Sequence, residues 1–493
     1  SATDALVRIR PIPAPAGGYT CLVDSFGAVF TTGIYCRPGC GARPRAENTT
    51  SFRLAAAAEA AGFRACFQCR PYRWPQSVSW TGSELVCRAV RLILAGGLDR
   101  TNEEELGCRL GVSARHLRRL FSLELGVTPD GLARSARAHF ARRLLDDTDL
   151  SVLEIALAAG FGSLRQFNRA CQEIFRASPR ELRAKRRKTD RLVADGGLPL
   201  RLSFRGALDW QALLAYFMAR AIPGVEHVSG GTYRRTIVVD GDPGVLELFP
   251  GDHDHLVLVA HLPHWEGLIH VVSRARRIAN LDFDLDEPAA HLSDEPTMNA
   301  LVRAHPGLRT PGTWDAFETG VRTIIGQHVT IAAANAITAR LVGRLGTPVP
   351  GLHQIGLTHT FPDAGVLATG DLTELGLTRA RQDAIHAFAH AVAEDEIPLD
   401  GSVGLDELIK SITAIEGLGS WTAQYLALRL GEPDAFPMTD VGLERALTRL
   451  STGSRADVAR LPERWRPWRA LAATYLWAAA GGERPMLVRT RAA

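Results

Sequence analysis

Four cysteines constrain the start of the chain: Cys36 and Cys40 are separated by three residues, Cys66 and Cys69 by two. Two short pairs of this kind can close on one tetrahedral ion, which pins the intervening chain into a module needing little apolar core of its own. The other four cysteines also fall within the first 171 residues. No basic-then-apolar export signal accompanies them, so metal binding is the leading reading and disulfides are not expected. The absence of Met at residues 1–4 points to a processed or engineered start.

With 493 residues the chain should hold two to four domains. Its 46% hydrophobic and 22% charged residues are those of a folded soluble protein, and no apolar run is long enough to span a bilayer. A cytoplasmic, nucleoid-associated protein with no membrane partner is expected. Residues 1–193 carry 30 Lys+Arg against 18 Asp+Glu, and the remainder 27 against 35. The basic excess is therefore entirely N-terminal. It suggests a polyanion partner, since cationic surfaces gain affinity by releasing counterions condensed on phosphates, although a solvated charged surface would have the same composition.

The phrases Thr32-Gly33-Ile34-Tyr35-Cys36-Arg37-Pro38 and Phe63-Arg64-Ala65-Cys66 resemble the N-terminal domain of the Ada methylphosphotriester acceptors. The resemblance implies one Zn²⁺ on Cys36, Cys40, Cys66 and Cys69, with Cys36 as the thiolate that takes a methyl group from a DNA phosphotriester. A purely structural zinc site is the alternative for the same spacing. Methylating one of four thiolates would change the formal charge of a zinc site from −2 to −1 and weaken its repulsion of phosphate. Residues 11–15, Pro-Ile-Pro-Ala-Pro, do not read as the helix expected before this site.

Between about residues 83 and 188 apolar residues recur at helical spacing around two Gly-centred turns, Leu110-Gly111-Val112-Ser113 and Ala159-Gly160-Phe161-Gly162-Ser163. This region resembles the AraC/XylS-type DNA-binding domain, with two helix-turn-helix motifs. Arg115, His116, Arg118 and Arg119 on one recognition helix, and Arg165, Gln166 and Asn168 on the other, are the candidates for base or phosphate contact. Any one of these arginines could equally lie on a solvated face. The run Lys185-Arg186-Arg187-Lys188 reads as a linker or arm.

Further on, Ile415-Glu416-Gly417-Leu418-Gly419-Ser420-Trp421-Thr422-Ala423 reads as a helix, a Gly-x-Gly hairpin and a second helix. Glycines at Gly417 and Gly419 permit a tight turn and let backbone N–H groups near Ser420 and Thr422 meet a DNA phosphate. Downstream, Asp434-Ala435-Phe436-Pro437-Met438-Thr439-Asp440 ends on a carboxylate. Together these motifs, with Pro306-Gly307-Leu308-Arg309, Ile325-Gly326-Gln327 and Glu463-Arg464-Trp465-Arg466-Pro467-Trp468-Arg469, resemble the 3-methyladenine DNA glycosylase II family of the helix-hairpin-helix superfamily over nearly all of residues 198–485. The resemblance implies Asp440 as the catalytic carboxylate, Tyr216, Trp421, Tyr425 and Trp477 as aromatic walls, and Gln327 and His328 at the DNA-inserting wedge. Aromatic residues at such spacing are otherwise more often core. His328 stands where an apolar wedge is usual, and Val441 and Gly442 where bulkier side chains are.

A base-excising lyase of this superfamily carries a nucleophilic Lys at the hairpin position held here by Trp421, and Lys410 is the sole lysine of this half. The expectation is a monofunctional hydrolase. No cysteine follows Cys171, so no iron–sulfur cluster is expected, while a monovalent cation at the hairpin is implied by the resemblance. No Pro-Cys-His-Arg motif for guanine-O6 repair is present.

The expected architecture is multidomain and mainly α with smaller α+β parts: a zinc methyl-acceptor domain over 1–75, a double helix-turn-helix domain over 80–188, a linker over 189–197, an antiparallel-sheet subdomain over 198–290 and helical helix-hairpin-helix subdomains over 291–493. The function expected is alkylation repair of double-stranded DNA by a monomeric glycosylase joined to a methyl acceptor and regulator. The alternative is an alkylation-responsive regulator whose glycosylase-like half only binds damage.

Overall fold

The computed structural model describes residues 25–42, 44–75, 83–99, 101–194, 196–450 and 460–480. Residues 1–4 and 11–15, singled out above, lie outside these. The chain divides into two compact units, the first running to Leu192 and including Trp265–His270, the second holding the rest.

The first unit opens with a small sheet of β1 (Phe26–Val29), β2 (Ile34–Cys36), β3 (Thr49–Phe52) and β4 (Arg64–Ala65) in the order β3-β1-β2-β4. Strands β2 and β4 are parallel, with Tyr35 opposite Ala65, and the Cys66 N–H donates to the Tyr35 carbonyl at 3.0 Å. This register delivers Cys36 and Cys66, each at a strand end, to the same place. Helix α1 (Ala55–Ala60) lies between β3 and β4, four of its alanines buried.

Seven helices follow: α2 (Glu84–Leu94), α3 (Glu103–Arg109), α4 (Ala114–Glu124), α5 (Pro129–Asp147), α6 (Val152–Ala158), α7 (Leu164–Phe175) and α8 (Pro179–Ala184). The pairs α3–α4 and α6–α7 are the two helix-turn-helix motifs, with Gly111 and Gly160 at φ of +69° and +76° in their turns, a conformation that favours glycine. Ser113 and Ser163 cap α4 and α7, each accepting a backbone N–H in the first turn. Helix α5 connects the motifs and is buried along most of its length, polar residues His139, Arg142, Asp146 and Asp147 included. The basic run after α8, read above as an arm, is fastened instead: Arg186 donates to Asp149 at 2.7 Å and Arg187 to the Gln68 carbonyl at 3.1 Å. Composition showed the charge but not these acceptors, which lie far away in sequence.

The second unit begins with an antiparallel sheet in the order β5-β9-β8-β7-β6, formed by β5 (Leu198–Ser203), β6 (Glu226–Ser229), β7 (Thr232–Val239), β8 (Asp242–Pro250) and β9 (His255–His261). The apolar stretches at 236–239 and 256–259 fall in β7 and β9. Helix α9 (Trp210–Arg220) follows β5. The helical remainder comprises α10 (Leu268–Ile278), α11 (Asp286–Ser293), α12 (Pro296–Ala304), α13 (Ala316–Gly326), α14 (Ile331–Leu345), α15 (Ala364–Thr369), α16 (Arg379–Ala393), α17 (Leu405–Thr413), α18 (Ser420–Arg429), α19 (Val441–Leu450) and α20 (Arg469–Ala479).

Buried ion pairs join the sheet to α13: Arg235 to Glu318 at 2.6 Å, and Arg322 to Glu226 and Glu318 at 3.2 Å each. Burial alone would push Glu226 up, but the Arg322 and Arg235 charges and the Tyr233 hydroxyl hold its carboxyl below the ordinary value. These charges are mutually compensated, so breaking one pair would strand another and cost about 3–5 kcal/mol. The network fixes α13, and with it the segment at Gln327. Among the described residues no helix is long and apolar enough to cross a membrane.

Candidate active site and metal centre

Helices α17 and α18 flank the hairpin. Gly417 has φ of +85° and an added Cβ would stand 3.2 Å from the Ala384 Cβ, so glycine is required there by conformation. Gly419 differs: its φ is −91°, and nothing lies within 4 Å of an added Cβ. It faces open space in front of the first turn of α18, which no side chain caps. Of the two tasks expected of these glycines, Gly417 performs the turn and Gly419 leaves the helix N-terminus bare. Ser420 is exposed beside it, whereas Thr422, read as a DNA contact, is buried and accepts a hydrogen bond from Gln327 Nε2 at 2.9 Å. Gln327 is thereby tied to the hairpin rather than projecting. His328 does project: it is exposed, with φ of +57°, a left-handed conformation uncommon away from glycine.

Asp440 precedes α19 and caps it, the Leu443 N–H donating to Oδ1 at 3.0 Å. The indole N–H groups of Trp477 and Trp421 donate to Oδ1 at 2.9 Å and Oδ2 at 3.2 Å. Three helices, α18, α19 and α20, thus converge on one carboxylate that is only 7% exposed. Gly442 makes room for it. A Cβ there would lie 3.0 Å from Asp440 Oδ1 and 3.3 Å from Trp477 Cδ1, closer than either neighbour can accept without moving.

The rings of Trp421 and Tyr425 stack at 5.3 Å, and Tyr425 meets Trp477 edge-on at 6.0 Å. Tyr216, on α9, joins them through a group the sequence reading missed. The Arg429 guanidinium, 1% exposed, sits 4.6 Å from the Tyr216 ring centre, 4.7 Å from Tyr425 and 5.5 Å from Trp477, and donates to the Tyr425 hydroxyl and the Pro311 carbonyl. Its signal was a lone charge inside the apolar run Leu426-Ala427-Leu428-Arg429-Leu430. Tyr216, Tyr425 and Arg429 line an open cleft, to which Asp440, Trp421 and Trp477 do not contribute. The hydrogen-bond donors, not the cleft, identify the carboxylate.

In the first unit, Cys36, Cys66 and Cys69 bring their sulfurs within 4.8 Å of one another. Cys40 lies outside that set but exchanges hydrogen bonds with Cys36 and Cys69. The thiols share protons. Donating to Cys69 pushes Cys36 far up, and accepting from Cys36, with help from the Arg37 backbone N–H, brings Cys69 down to about 5. Sulfurs crowded enough to share protons are a donor set that a soft divalent ion relieves, so the cysteines fit zinc.

On the recognition helices Arg115, Arg119, Arg165, Gln166 and Asn168 are exposed. Arg118 pairs with Glu103 and Glu104 on α3, Arg119 reaches His116 Nδ1 at 3.2 Å, and Asn168 donates to the Leu164 carbonyl at 2.8 Å. Arg118, also exposed, is therefore already paired within the first motif.

Comparison with known proteins gives four matches along the chain: the metal binding domain of Ada over residues 24–72, a helix-turn-helix domain over 106–185, the AlkA N-terminal domain over 199–315, and the HhH-GPD superfamily base excision DNA repair proteins over 321–469. A Mycobacterium tuberculosis protein described as a probable bifunctional transcriptional activator/DNA repair enzyme AlkA is 38% identical over 456 residues, covering 91% of this chain and 92% of that one. The Escherichia coli DNA-3-methyladenine glycosylase 2 is 31% identical over 280 residues, 56% of this chain and 95% of its own. The 3-methyladenine DNA-glycosylase of Archaeoglobus fulgidus superposes with a TM-score of 0.51 at 24% identity, covering 57% of this chain and 98% of that chain, and shows the fold.

Proposed function

Because the chain belongs to the family of AlkA-type bifunctional transcriptional activator/DNA repair enzymes, we propose that it excises alkylated bases such as 3-methyladenine from duplex DNA with Asp440 as the catalytic carboxylate. It is a DNA glycosylase of alkylation repair, carrying metal-binding and helix-turn-helix domains, and its partner is DNA. The observation that carries the assignment of Asp440 is the carboxylate held by two indole N–H groups and a helix N-terminus at the edge of an aromatic cluster.

An alkylated purine bearing positive charge is a good leaving group, and as its glycosidic bond breaks the sugar acquires oxocarbenium character. A fixed carboxylate opposite that sugar stabilises the developing charge without having to reorganise. The base must first leave the stack, and Tyr216 and Tyr425 on the cleft, with Trp421 and Trp477 packed against Tyr425, are the aromatic walls proposed to receive it. His328 fills the gap in the duplex, while Gln327 supports the hairpin from behind. The bare N-terminus of α18 at Gly417, Gly419 and Ser420 receives a phosphate. With Trp421 where a lyase needs Lys, water is the nucleophile and the enzyme is monofunctional. A monovalent cation at the hairpin, no iron–sulfur cluster and a monomeric state complete this reading.

In the first unit, Cys36, Cys40, Cys66 and Cys69 would hold zinc, which when bound keeps thiols deprotonated near neutrality. The Cys36 thiolate attacks the methyl carbon of a phosphotriester; the sulfur–carbon bond forms as the carbon–oxygen bond breaks, leaving a phosphodiester anion. Arg115, Arg119, Arg165, Gln166 and Asn168 read or hold promoter DNA. Single-turnover release of 3-methyladenine and 7-methylguanine from methylated duplex DNA tests the first part: release by the unmodified chain and none by Asp440→Asn is expected, and equal release by both would reject Asp440. Mass spectrometry of Cys36 after exposure to methylphosphotriester DNA tests the second; an unmodified Cys36 leaves a structural zinc site.

A further inference from the structure

The residue before the first cysteine of the set and the residue after the last are both fastened to the helix-turn-helix domain. Tyr35, fully buried, donates its hydroxyl to Glu59 Oε1 at 2.5 Å, and His139 Nε2 on α5 lies 2.6 Å from the same oxygen. Glu59 belongs to α1 of the cysteine module, so the contact crosses from that module to α5. At the other end Arg70 follows Cys69 with φ of +52°, a conformation an arginine adopts only when something holds it. Its guanidinium pairs with Asp190 at 2.6 Å and with Asp146, also on α5, at 3.7 Å. Tyr72 and Arg73 continue the grip, donating to Asp146 at 2.8 Å and 3.2 Å, and Arg73 to Asp147 at 2.6 Å. All three aspartates are buried.

We propose that His139 and Asp146 of the helix-turn-helix domain are positioning residues for the cysteine site, so that metal affinity and the stability of α5 are reciprocally coupled. The groups involved are largely buried and hydrogen-bonded across the two modules, so neither module can shift without stranding a polar or charged group in the other. Whatever free energy the helix domain contributes to metal binding, metal binding must return to the helix domain. The proposal rests on the cysteines being a zinc site, and not on Cys36 being a methyl acceptor.

The test uses the full chain loaded with zinc, following release to excess chelator with a zinc-sensitive dye. His139→Phe and Asp146→Asn should each release zinc about fivefold faster or more, the lower end of ordinary site-to-site coupling. His139→Gln, which keeps an N–H donor for Glu59, should return towards the unmodified rate, and base release by the second unit should be unchanged in all three. Wild-type release rates in both His139→Phe and Asp146→Asn would overturn the proposal. Hydrogen exchange on the unsubstituted chain gives a reading independent of how the variants fold. Removing zinc should deprotect amides along Pro129–Asp147, and a loss confined to residues 34–70 would overturn it. A chain that binds no zinc defeats the metal reading itself, and does so before any variant is compared.

Discussion

Replacing Gly442 with alanine sets two effects of opposite sign against each other. Gly442 occupies the first turn of α19, where alanine is favoured over glycine by up to about 0.8–1 kcal/mol, so helix propensity alone predicts a chain that is no less stable. The new Cβ, however, would stand 3.0 Å from Asp440 Oδ1 and 3.3–3.4 Å from Trp477 Cδ1 and Nε1, and these neighbours must give by a few tenths of an ångström. Asp440 cannot give freely, because the Leu443 N–H and two indoles hold it from three helices. Since a misplacement of about 1 Å at a reacting centre costs on the order of a hundredfold, a few tenths should slow the chemical step roughly three- to tenfold. Single-turnover base release under saturating enzyme, beside thermal unfolding, reads both effects. A Gly442→Ala chain that melts well below the parent yet releases base at the parental rate would refute the reasoning, because it would place the strain in the helix and not on the carboxylate.

Trp477→Phe keeps an aromatic wall but removes the donor to Oδ1; a hydrogen bond to a charged group is worth about 1.5–3 kcal/mol, so base release should slow roughly ten- to a hundredfold while duplex binding, measured by anisotropy, holds. On the recognition helices, exposed Arg165 and already-paired Arg118 should separate. Arg165→Ala should lower the slope of log affinity against log salt by about 0.9, and Arg118→Ala should leave it nearly unchanged; equal slopes would count against the assignment. Burial raises the Asp190 carboxyl, but hydrogen bonds from Arg70 and the Arg187 backbone outweigh it and hold the group below its ordinary value. A depressed carboxylate stabilises the fold fully above its unfolded pKa of about 3.9, and that stability is lost as pH falls through the folded value. Asp190→Asn should therefore lower the melting temperature at pH 7 with a gap that closes below about pH 4; a gap independent of pH would show that the charge plays no part.

What the sequence made legible was whatever leaves a local signature. Paired cysteines, a glycine forced to positive φ at 417, serine caps before α4 and α7 and apolar stretches in β7 and β9 are each written within a few positions. Resemblance pointed to the carboxylate at 440 but not to its donors, since Trp421 and Trp477 come from helices separated by 56 positions. Side-chain direction was the commonest gap. Thr422 reads as surface until α18 is docked with its first turn against Gln327, and Arg429 reads as a helix-surface cation until three rings surround it. The buried anchors of the cysteine module join residues as far apart as Arg70 and Asp190, pairings that periodicity cannot express.

The double employment of the indoles narrows the routes by which a chain like this can change what it repairs. On the proposed function Trp421 and Trp477 at once back Tyr425, a ring of the cleft, and clamp Asp440, so trading either ring for a different shape also loosens that carboxylate, and selection for a new lesion is opposed by selection for turnover. Tyr216, which lines the cleft, and Val441, which follows Asp440, are not among the three donors described above. Drift in lesion preference among descendants of this protein should accumulate at those two positions, with the indoles held constant while the chamber around them is refitted.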